Sequence, residues 1–208
     1  MRTPVRFSKI DDSNIADHTR LRPDDRCLFL FEYTSGRDYS FSATNSLVNN
    51  LKKKPTSSAA QLAYKGQAIN ACGLYFREGL DAGWLGRATL VPIPGSKAPD
   101  HADFDDRMTR VAHAIGPNLD VRALVRQTQT LRASHEVGEG ERVTVDELLA
   151  TYEIDAALAQ PEPVTIGILD DVLTAGTHYR AMHTLLSRRF PNASIFGLFI
   201  ARRVFPAP

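Results

Sequence analysis

The stretch that decides the fold is VTIGILDDVLTAGTH, residues 164–178. It opens with an apolar, β-branched run typical of a buried strand, passes through two adjacent carboxylates and a loop of small residues, and continues into a helical pattern. In open α/β folds, ligands bind at the carboxyl ends of the strands. Free backbone N–H groups and the dipole at a helix start favour a bound phosphate. The stretch therefore predicts a phosphate site in an α/β protein.

The individual residues of this stretch suit a ligand that carries phosphate. Gly176 lets the backbone approach a ligand closely, and Thr174 and Thr177 can add hydroxyl donors. Asp170 and Asp171 can hold sugar hydroxyls or the water molecules around Mg²⁺. The alternative is an acidic strand end followed by an ordinary helix N-cap, with Thr174 or Thr177 as the capping residue. For the pattern as a whole we favour the ligand site.

Strands and helices alternate along the rest of the chain. The apolar patterns predict strands at 27–33, 88–93, 121–125, 164–169 and 194–201, and helices from Ser58, from Asp103, over 145–152 and over 177–190. This alternation is typical of an α/β domain with a mostly parallel sheet. The turn signal at 34–38 predicts that residues 39–44 return as the hairpin partner of strand 27–33.

Composition excludes several classes of protein. A chain of 208 residues predicts one domain, and 25 basic against 24 acidic residues give a net charge of +1, which does not support binding to nucleic acid or to an anionic membrane. The longest apolar runs are too short to span a bilayer, and the amino-terminal residues lack the apolar core of a signal peptide. The two cysteines form neither a disulfide framework nor a metal quartet. We therefore expect a cytoplasmic protein.

Residues 168–178 resemble the loop that binds phosphoribosyl pyrophosphate (PRPP) in type I phosphoribosyltransferases. That loop commonly reads aliphatic-aliphatic-Asp-Asp-Val-aliphatic-Thr-Thr-Gly-Ala-Thr. This sequence departs from it at Ala175, Thr177 and His178, which stand where the family has threonine, alanine and threonine. The backbone cradle should survive these changes, and Thr177 would partly restore the hydroxyl lost at 178. His178 then either contacts a phosphate or points to solvent.

A second segment is similar to the branch of this family that includes the competence-associated ComF proteins. Residues 90–97 read LVPIPGSK, and in that branch a Val-Pro-aliphatic-Pro strand end precedes a basic pyrophosphate loop. The resemblance implies that Gly95 and Ser96 offer N–H groups to pyrophosphate and that Lys97 neutralises it. It also implies that Arg107 reaches the pyrophosphate or braces the site. The alternative for the acidic segment before Arg107 is an ordinary helix start.

Residues 126–142 resemble the flexible catalytic loop of the family, which closes over PRPP and excludes water. The resemblance implies that Arg132 and Arg142 are catalytic residues that stabilise charge as pyrophosphate leaves, with Arg126 as a further candidate. A solvated loop position is the alternative for each of them, and it is our interpretation of His135.

The segment LKKK at 51–54 looks like a degenerate form of a lysine-bearing segment found early in these proteins. We interpret its lysines as solvated charges before a proline.

The resemblance covers residues 50–203 and implies one type I phosphoribosyltransferase-like domain, with a core at 56–208 and a small amino-terminal hood at 1–55. The chain ends soon after its last predicted strand, so the hood over the acceptor is expected from the amino-terminal side. Aromatic residues of this part would stack on a base or pack in a hairpin core: Phe29, Phe31, Tyr33 and Tyr39.

The function implied by the resemblance is Mg²⁺-dependent transfer of phosphoribosyl from PRPP to a nucleobase or small amine, with release of pyrophosphate. Mg²⁺ would arrive on the substrate, and Asp170 and Asp171 would hold ribose hydroxyls and the water molecules of the metal. A homodimer is expected. Two alternatives stay open: a PRPP or nucleotide sensor without turnover, and an effector of a defence or toxin system. The 5′-phosphate would be held by Leu173, Thr174, Ala175, Gly176, Thr177 and His178.

Overall fold

The computed structural model describes residues 5–130 and 143–206. Its strands are β1 (Ser8–Lys9), β2 (Cys27–Thr34), β3 (Thr89–Pro92), β4 (Asp120–Val121), β5 (Val125–Gln127), β6 (Tyr152–Ile154), β7 (Thr165–Leu173) and β8 (Ser194–Val204). Its α-helices are α1 (Ala43–Leu51), α2 (Ala59–Gly79), α3 (Ala82–Leu85), α4 (Arg107–Ile115), α5 (Val145–Thr151) and α6 (Thr177–Arg189). Short 3₁₀ turns lie at Ile15–Asp17 and Ala156–Leu158.

A mostly parallel sheet runs through the middle of the molecule, in the order β1-β2-β8-β7-β3-β4. Only the short edge strand β1 is antiparallel to its neighbour. β5 and β6 form a separate antiparallel pair. The predicted α/β class with a mostly parallel sheet is therefore confirmed.

Helices cover both faces of this sheet. Leu148 of α5 and Met182 and Leu186 of α6 pack on one face with Ile168 of β7, while α2 and α4 pack on the other around Leu169. Because β7 is covered on both sides, it needs a nearly continuous apolar sequence, as strands of parallel sheets do. Fully burying one side chain of this size contributes about 1.5–3 kcal/mol.

The order in which the chain adds strands to the sheet reverses between the parallel strands β3 and β7. From β7 the chain passes through α6 to β8 on one side, and from β3 it passes through α4 to β4 on the other. Parallel crossovers are right-handed, so connections that run in opposite directions place their helices on opposite faces. The loops after β3 and β7 therefore separate and leave a crevice, which is where open α/β sheets bind ligands.

The predicted hairpin of residues 27–33 with 39–44 is wrong. Ser42 accepts a hydrogen bond from the Asn45 N–H and so begins helix α1, and β2 pairs in parallel with β8 instead. Both sides of β2 carry buried residues, such as Cys27 and Leu30, which a two-stranded hairpin would leave uncovered. Residues 27–51 thus belong to the central sheet and its packing, and not to a separate hood.

The aromatic residues expected in the hood are separated by this arrangement. Phe29 is buried in the core, Phe31 and Tyr33 are half-buried on β2, and Tyr39 is exposed.

Other boundaries differ in smaller ways. The capping box of Ser58 with Gln61 is confirmed at the start of α2. The helix expected from Asp103 begins only at Arg107, and the strand expected at 121–125 is divided between β4 and β5. Over residues 5–130 and 143–206, none of the helices is long and apolar enough to cross a bilayer.

Candidate functional site

A cleft of about 220 Å³ lies in the crevice between the carboxyl ends of β3 and β7. Three segments line most of it: residues 93–96 after β3, residues 170–174 at the end of β7, and residues 176–179 at the start of α6. The remaining lining residues are Lys52, Arg107, Val143 and Phe199. Most of the sequence-predicted site residues within the described ranges therefore meet in one place.

The cleft forms because β7 extends further than its neighbour β3. β3 ends where Pro92 pairs with Leu169, but β7 continues beside β8 as far as Leu173. The last four residues of β7 therefore have a strand neighbour on one side and the cleft on the other. The sequence predicted a strand that ends before the two carboxylates, whereas Asp170 and Asp171 lie inside it because β8 extends to Val204.

The start of α6 is an uncapped helix terminus in the wall of the cleft. Its N-cap residue is Gly176, and none of the described side chains makes a cap hydrogen bond there. The alternative that Thr174 or Thr177 serves as an ordinary cap is therefore not observed. Among the other described helices, α4 also lacks a side-chain cap, whereas α1, α2, α3 and α5 are capped by Ser42, Ser58, Asp81 and Thr144. The N–H groups of the first turn of α6 are suited to an anion.

Gly176 is required by the geometry of this loop. Its φ of +88° lies in the left-handed region, and a Cβ there would be 3.0 Å from Leu21 Cδ2. A side chain at this position would therefore strain the backbone and displace Leu21.

The amino-terminal segment holds the same loop from outside. Because a carbonyl can only accept, His18 Nδ1–H donates to the Thr174 oxygen, and the Arg20 N–H donates to the Ala175 oxygen at 2.8 Å. Arg180 on α6 donates to the Arg20 carbonyl at 3.0 Å and pairs with Asp25. Loop and helix are thereby fixed to residues 18–25.

Two cations bind the Asp171 carboxylate. Arg107 donates through Nε at 3.0 Å and Nη2 at 2.7 Å to Oδ2, and Lys52 Nζ lies 3.2 Å from Oδ1. Burial acts to raise the pKa of Asp171, but Lys52 and Arg107 more than offset it, so its pKa lies well below the usual value. Asp171 is therefore ionised at neutral pH.

Asp170 has different surroundings, because adjacent side chains of a strand point to opposite faces. Its Oδ1 accepts the Asp171 N–H at 2.8 Å. Burial, together with the negative charge of Asp171, raises the pKa of Asp170 to about 7. The cleft therefore presents two carboxylates that differ in protonation.

His178 neither points freely to solvent nor carries a charge at neutral pH. It lines the cleft, and its Nδ1 lies 2.8 Å from the hydroxyl of Tyr152, where α5 ends. Burial lowers the pKa of His178 to about 4. In the tautomer in which the Tyr152 hydroxyl donates to Nδ1, the neutral imidazole carries its proton on Nε2, and this nitrogen is then a hydrogen-bond donor.

The residues expected to hold pyrophosphate lie on the other wall. Gly95 and Ser96 line the cleft, and Lys97 is half-buried beside it without lining it. A Cβ on Gly95 would lie 3.0 Å from the Asp105 carbonyl, so this loop packs closely against the segment before α4. Arg107 reaches into the site, as one of the two sequence interpretations expected.

Of the three arginines predicted in the flexible loop, the structure describes one. Arg132 and Arg142 lie outside the described residues, as does His135. Arg126 is exposed and pairs with Glu153 at 2.9 Å, away from the cleft lining.

Sequence reasoning missed several residues of the site. The interpretation of Lys52 as a solvated charge is wrong, because the end of α1 directs it to Asp171. The resemblance of 51–54 to a lysine-bearing segment was the signal that could have found it. No sequence signal marked Tyr152, Lys65 or Asp105.

The side chains of the cleft offer oxygen atoms as metal ligands. Across the described ranges, no group of three or more His, Cys, Asp and Glu side chains is placed to hold a metal ion. Carboxylate oxygens of the kind found on Asp170 and Asp171 are the ligands, or the acceptors for bound water, that Mg²⁺ prefers.

The fold and the cleft define an α/β protein with a polar cleft at the carboxyl ends of its parallel strands, between β3 and β7. No model of a known protein family matches the chain, and no curated protein matches it significantly.

Proposed function

We propose that this protein has a type I phosphoribosyltransferase-like fold, binds PRPP in the cleft and transfers its phosphoribosyl group to a nucleobase or small amine. One observation carries the proposal: a single cleft joins an uncapped helix terminus, two carboxyl groups, and the loop of residues 93–96 beside Arg107. A 5′-phosphate, a ribose and a pyrophosphate need these three kinds of group, in this order along the ligand.

The 5′-phosphate end of the ligand would lie at the start of α6. Backbone N–H groups of residues 174–178 would bind its oxygens, and the helix dipole favours the negative charge. His178 would add a neutral N–H donor, which the usual threonine of the resembling loop provides as a hydroxyl. Gly176 would leave the space that the phosphate needs.

The pyrophosphate end would lie beside Gly95, Ser96 and Arg107. Mg²⁺ would enter with the pyrophosphate as part of the substrate and reduce its charge, and water on the metal would donate to Asp170 and Asp171. In the free protein Arg107 and Lys52 are already paired with Asp171, so binding divides these cations between the carboxylate and the incoming anion.

The reaction would be a substitution at C1 of ribose. The bond from C1 to the pyrophosphate oxygen breaks, and the electron pair leaves with pyrophosphate. A nitrogen of the acceptor forms the new bond to C1 and releases its proton to water. The residues would act by positioning both partners and by stabilising charge. Arg107 and Lys52 would stabilise the departing pyrophosphate, and Arg132 and Arg142 would add positive charge on loop closure.

Release of pyrophosphate from PRPP tests this proposal. We expect release to require Mg²⁺ and one member of a panel of nucleobases and small amines. Asp171→Asn should lower the rate about a hundredfold, because the cations lose the charge that aligns them. Lys54→Met removes an exposed cation that pairs with Asp103, and should leave the rate unchanged.

A PRPP or nucleotide sensor is the second candidate. The departures from the resembling loop at Ala175 and His178 favour it. Saturable binding of PRPP without pyrophosphate release would select the sensor, and absence of both would contradict the two proposals together.

A further inference from the structure

A lysine with almost no exposed surface lies behind the cleft. The Lys65 side chain on α2 is 2% exposed, and its ammonium donates to Asp105 Oδ2 and to the Lys53 carbonyl, each at 2.6 Å. Burial lowers the pKa of Lys65, and Asp105 opposes this effect. A buried ammonium is costly unless it is paired and hydrogen-bonded, so these two acceptors keep Lys65 in place.

Each acceptor leads to one of the two cations of the cleft. Asp105 also accepts from Arg107 Nη1 at 3.1 Å, and Arg107 in turn binds Asp171 Oδ2. Lys53 directly follows Lys52, whose Nζ lies beside Asp171 Oδ1. One ammonium therefore lies behind both cations that hold the Asp171 carboxylate.

Stability alone gives a weak account of this arrangement. A buried ion pair is often no more stabilising than well-packed apolar residues of similar volume. The neighbouring inward positions of α2 are apolar, with Ala68, Ile69 and Cys72 all buried. An apolar residue at position 65 would continue that face, but it would leave Arg107 and the 52–53 backbone without their common support.

We propose that Lys65 is a positioning residue, which sets Lys52 and Arg107 at the pyrophosphate end of the cleft. The identity of the anion rests on the proposed function, whereas the positioning of the cations rests on the contacts alone. Loss of Lys65 should weaken binding at the pyrophosphate end. The 5′-phosphate end should be unaffected, because backbone N–H groups of α6 on the opposite face form it.

Two probes separate these ends: inorganic pyrophosphate with Mg²⁺, and ribose 5-phosphate. We expect Lys65→Met to weaken pyrophosphate binding about tenfold and ribose 5-phosphate binding by less than about twofold, as for a small misplacement of binding groups. Lys65→Arg keeps a donor for both acceptors and should restore most of the pyrophosphate affinity. Lys54→Met is the matched control, because it removes the same charge from the neighbouring segment, and should change neither affinity.

The side-chain NMR signal of Arg107 Nε–H tests positioning without any ligand. We expect it to shift in Lys65→Met and to stay in place in Lys54→Met. Lys65→Gln, which removes the charge but keeps a polar side chain beside Asp105, replaces Lys65→Met if that variant does not fold. An unchanged Arg107 signal, or equal weakening at both ends of the cleft, would overturn the inference. A wild-type protein that binds neither probe, with an Arg107 signal that still shifts, would overturn the proposed function and leave the positioning role standing.

Discussion

Asp170 and Asp171 are adjacent in one strand, but their pKa values move in opposite directions. Lys52 and Arg107 lower the pKa of Asp171 despite its burial, whereas burial and the charge of Asp171 raise that of Asp170. Pairs of groups whose surroundings separate their pKa values in this way are typical of functional sites. At the residue scale, these two carboxyl groups therefore show the clearest difference in protonation within the cleft.

His178 makes the stability of the protein depend on pH. Its pKa is about 4 in the folded protein against a usual value of 6.5. Between these values the unfolded chain binds a proton that the folded protein does not. The contribution of His178 to stability therefore falls as pH decreases through this window, by at most about 3 kcal/mol. Chemical unfolding at pH 7 and at pH 4.5 measures the change in stability, and the wild-type protein should lose more stability than His178→Gln between these two pH values.

The comparison with His178→Gln isolates this histidine. Asp170 contributes to stability with the opposite sign. Its raised pKa stabilises the folded protein at low pH, and this stability is lost as pH rises towards 7. Because Asp170 is present in both the wild-type protein and His178→Gln, its contribution cancels in the comparison. His113→Gln, at an exposed position, serves as the control. An NMR titration of His178 with a pKa near 6.5 would refute the account.

At the element scale, residues 18–25 fasten the loop of residues 174–176 and helix α6. The pair of Arg180 with Asp25 is their buried attachment, with side chains 9% and 3% exposed. We expect Arg180→Met to destabilise the protein by about 3–5 kcal/mol, because it leaves the Asp25 carboxylate buried without its cation. Urea unfolding measures this loss, and adding Asp25→Asn should recover part of it.

The exposed pair of Arg126 with Glu153 provides the matched control for this prediction. Its side chains are 52% and 55% exposed, so Arg126→Met should change stability by less than about 1 kcal/mol. An equal effect of Arg180→Met and Arg126→Met would show that the attachment does not hold the loop.

The sequence predicted elements well where local signals agreed with the packing. The capping box at Ser58 starts α2, and the apolar run of β7 forms a strand covered on both faces. The hairpin at 39–44 failed because Ser42 caps a helix, and because the partner of β2 is β8, about 170 residues away along the chain. Pairing across such a distance has no local signature, so periodicity alone could not find it.

At the scale of the whole molecule, the topology assembles the site. Five separate segments meet in the cleft because β3 and β7 are adjacent where the order of strands in the sheet reverses. These segments contribute Lys52, Gly95, Arg107, Asp171 and His178. The sequence predicted the two loops that such a sheet would join. It could not predict Lys65 or Tyr152, because their roles depend on which buried neighbours the folded chain gives them.

Calorimetric titration of PRPP with Mg²⁺ tests the central claim most directly. We expect saturable binding to the wild-type protein, and at least about a hundredfold weaker binding to the double variant Asp170→Asn/Asp171→Asn, because the cleft then loses the charge of Asp171 that holds the two cations and both carboxyl groups that orient sugar and metal-bound water. Circular dichroism would confirm that the double variant is folded. A folded wild-type protein that does not bind PRPP, or a double variant that binds it equally well, would contradict the account.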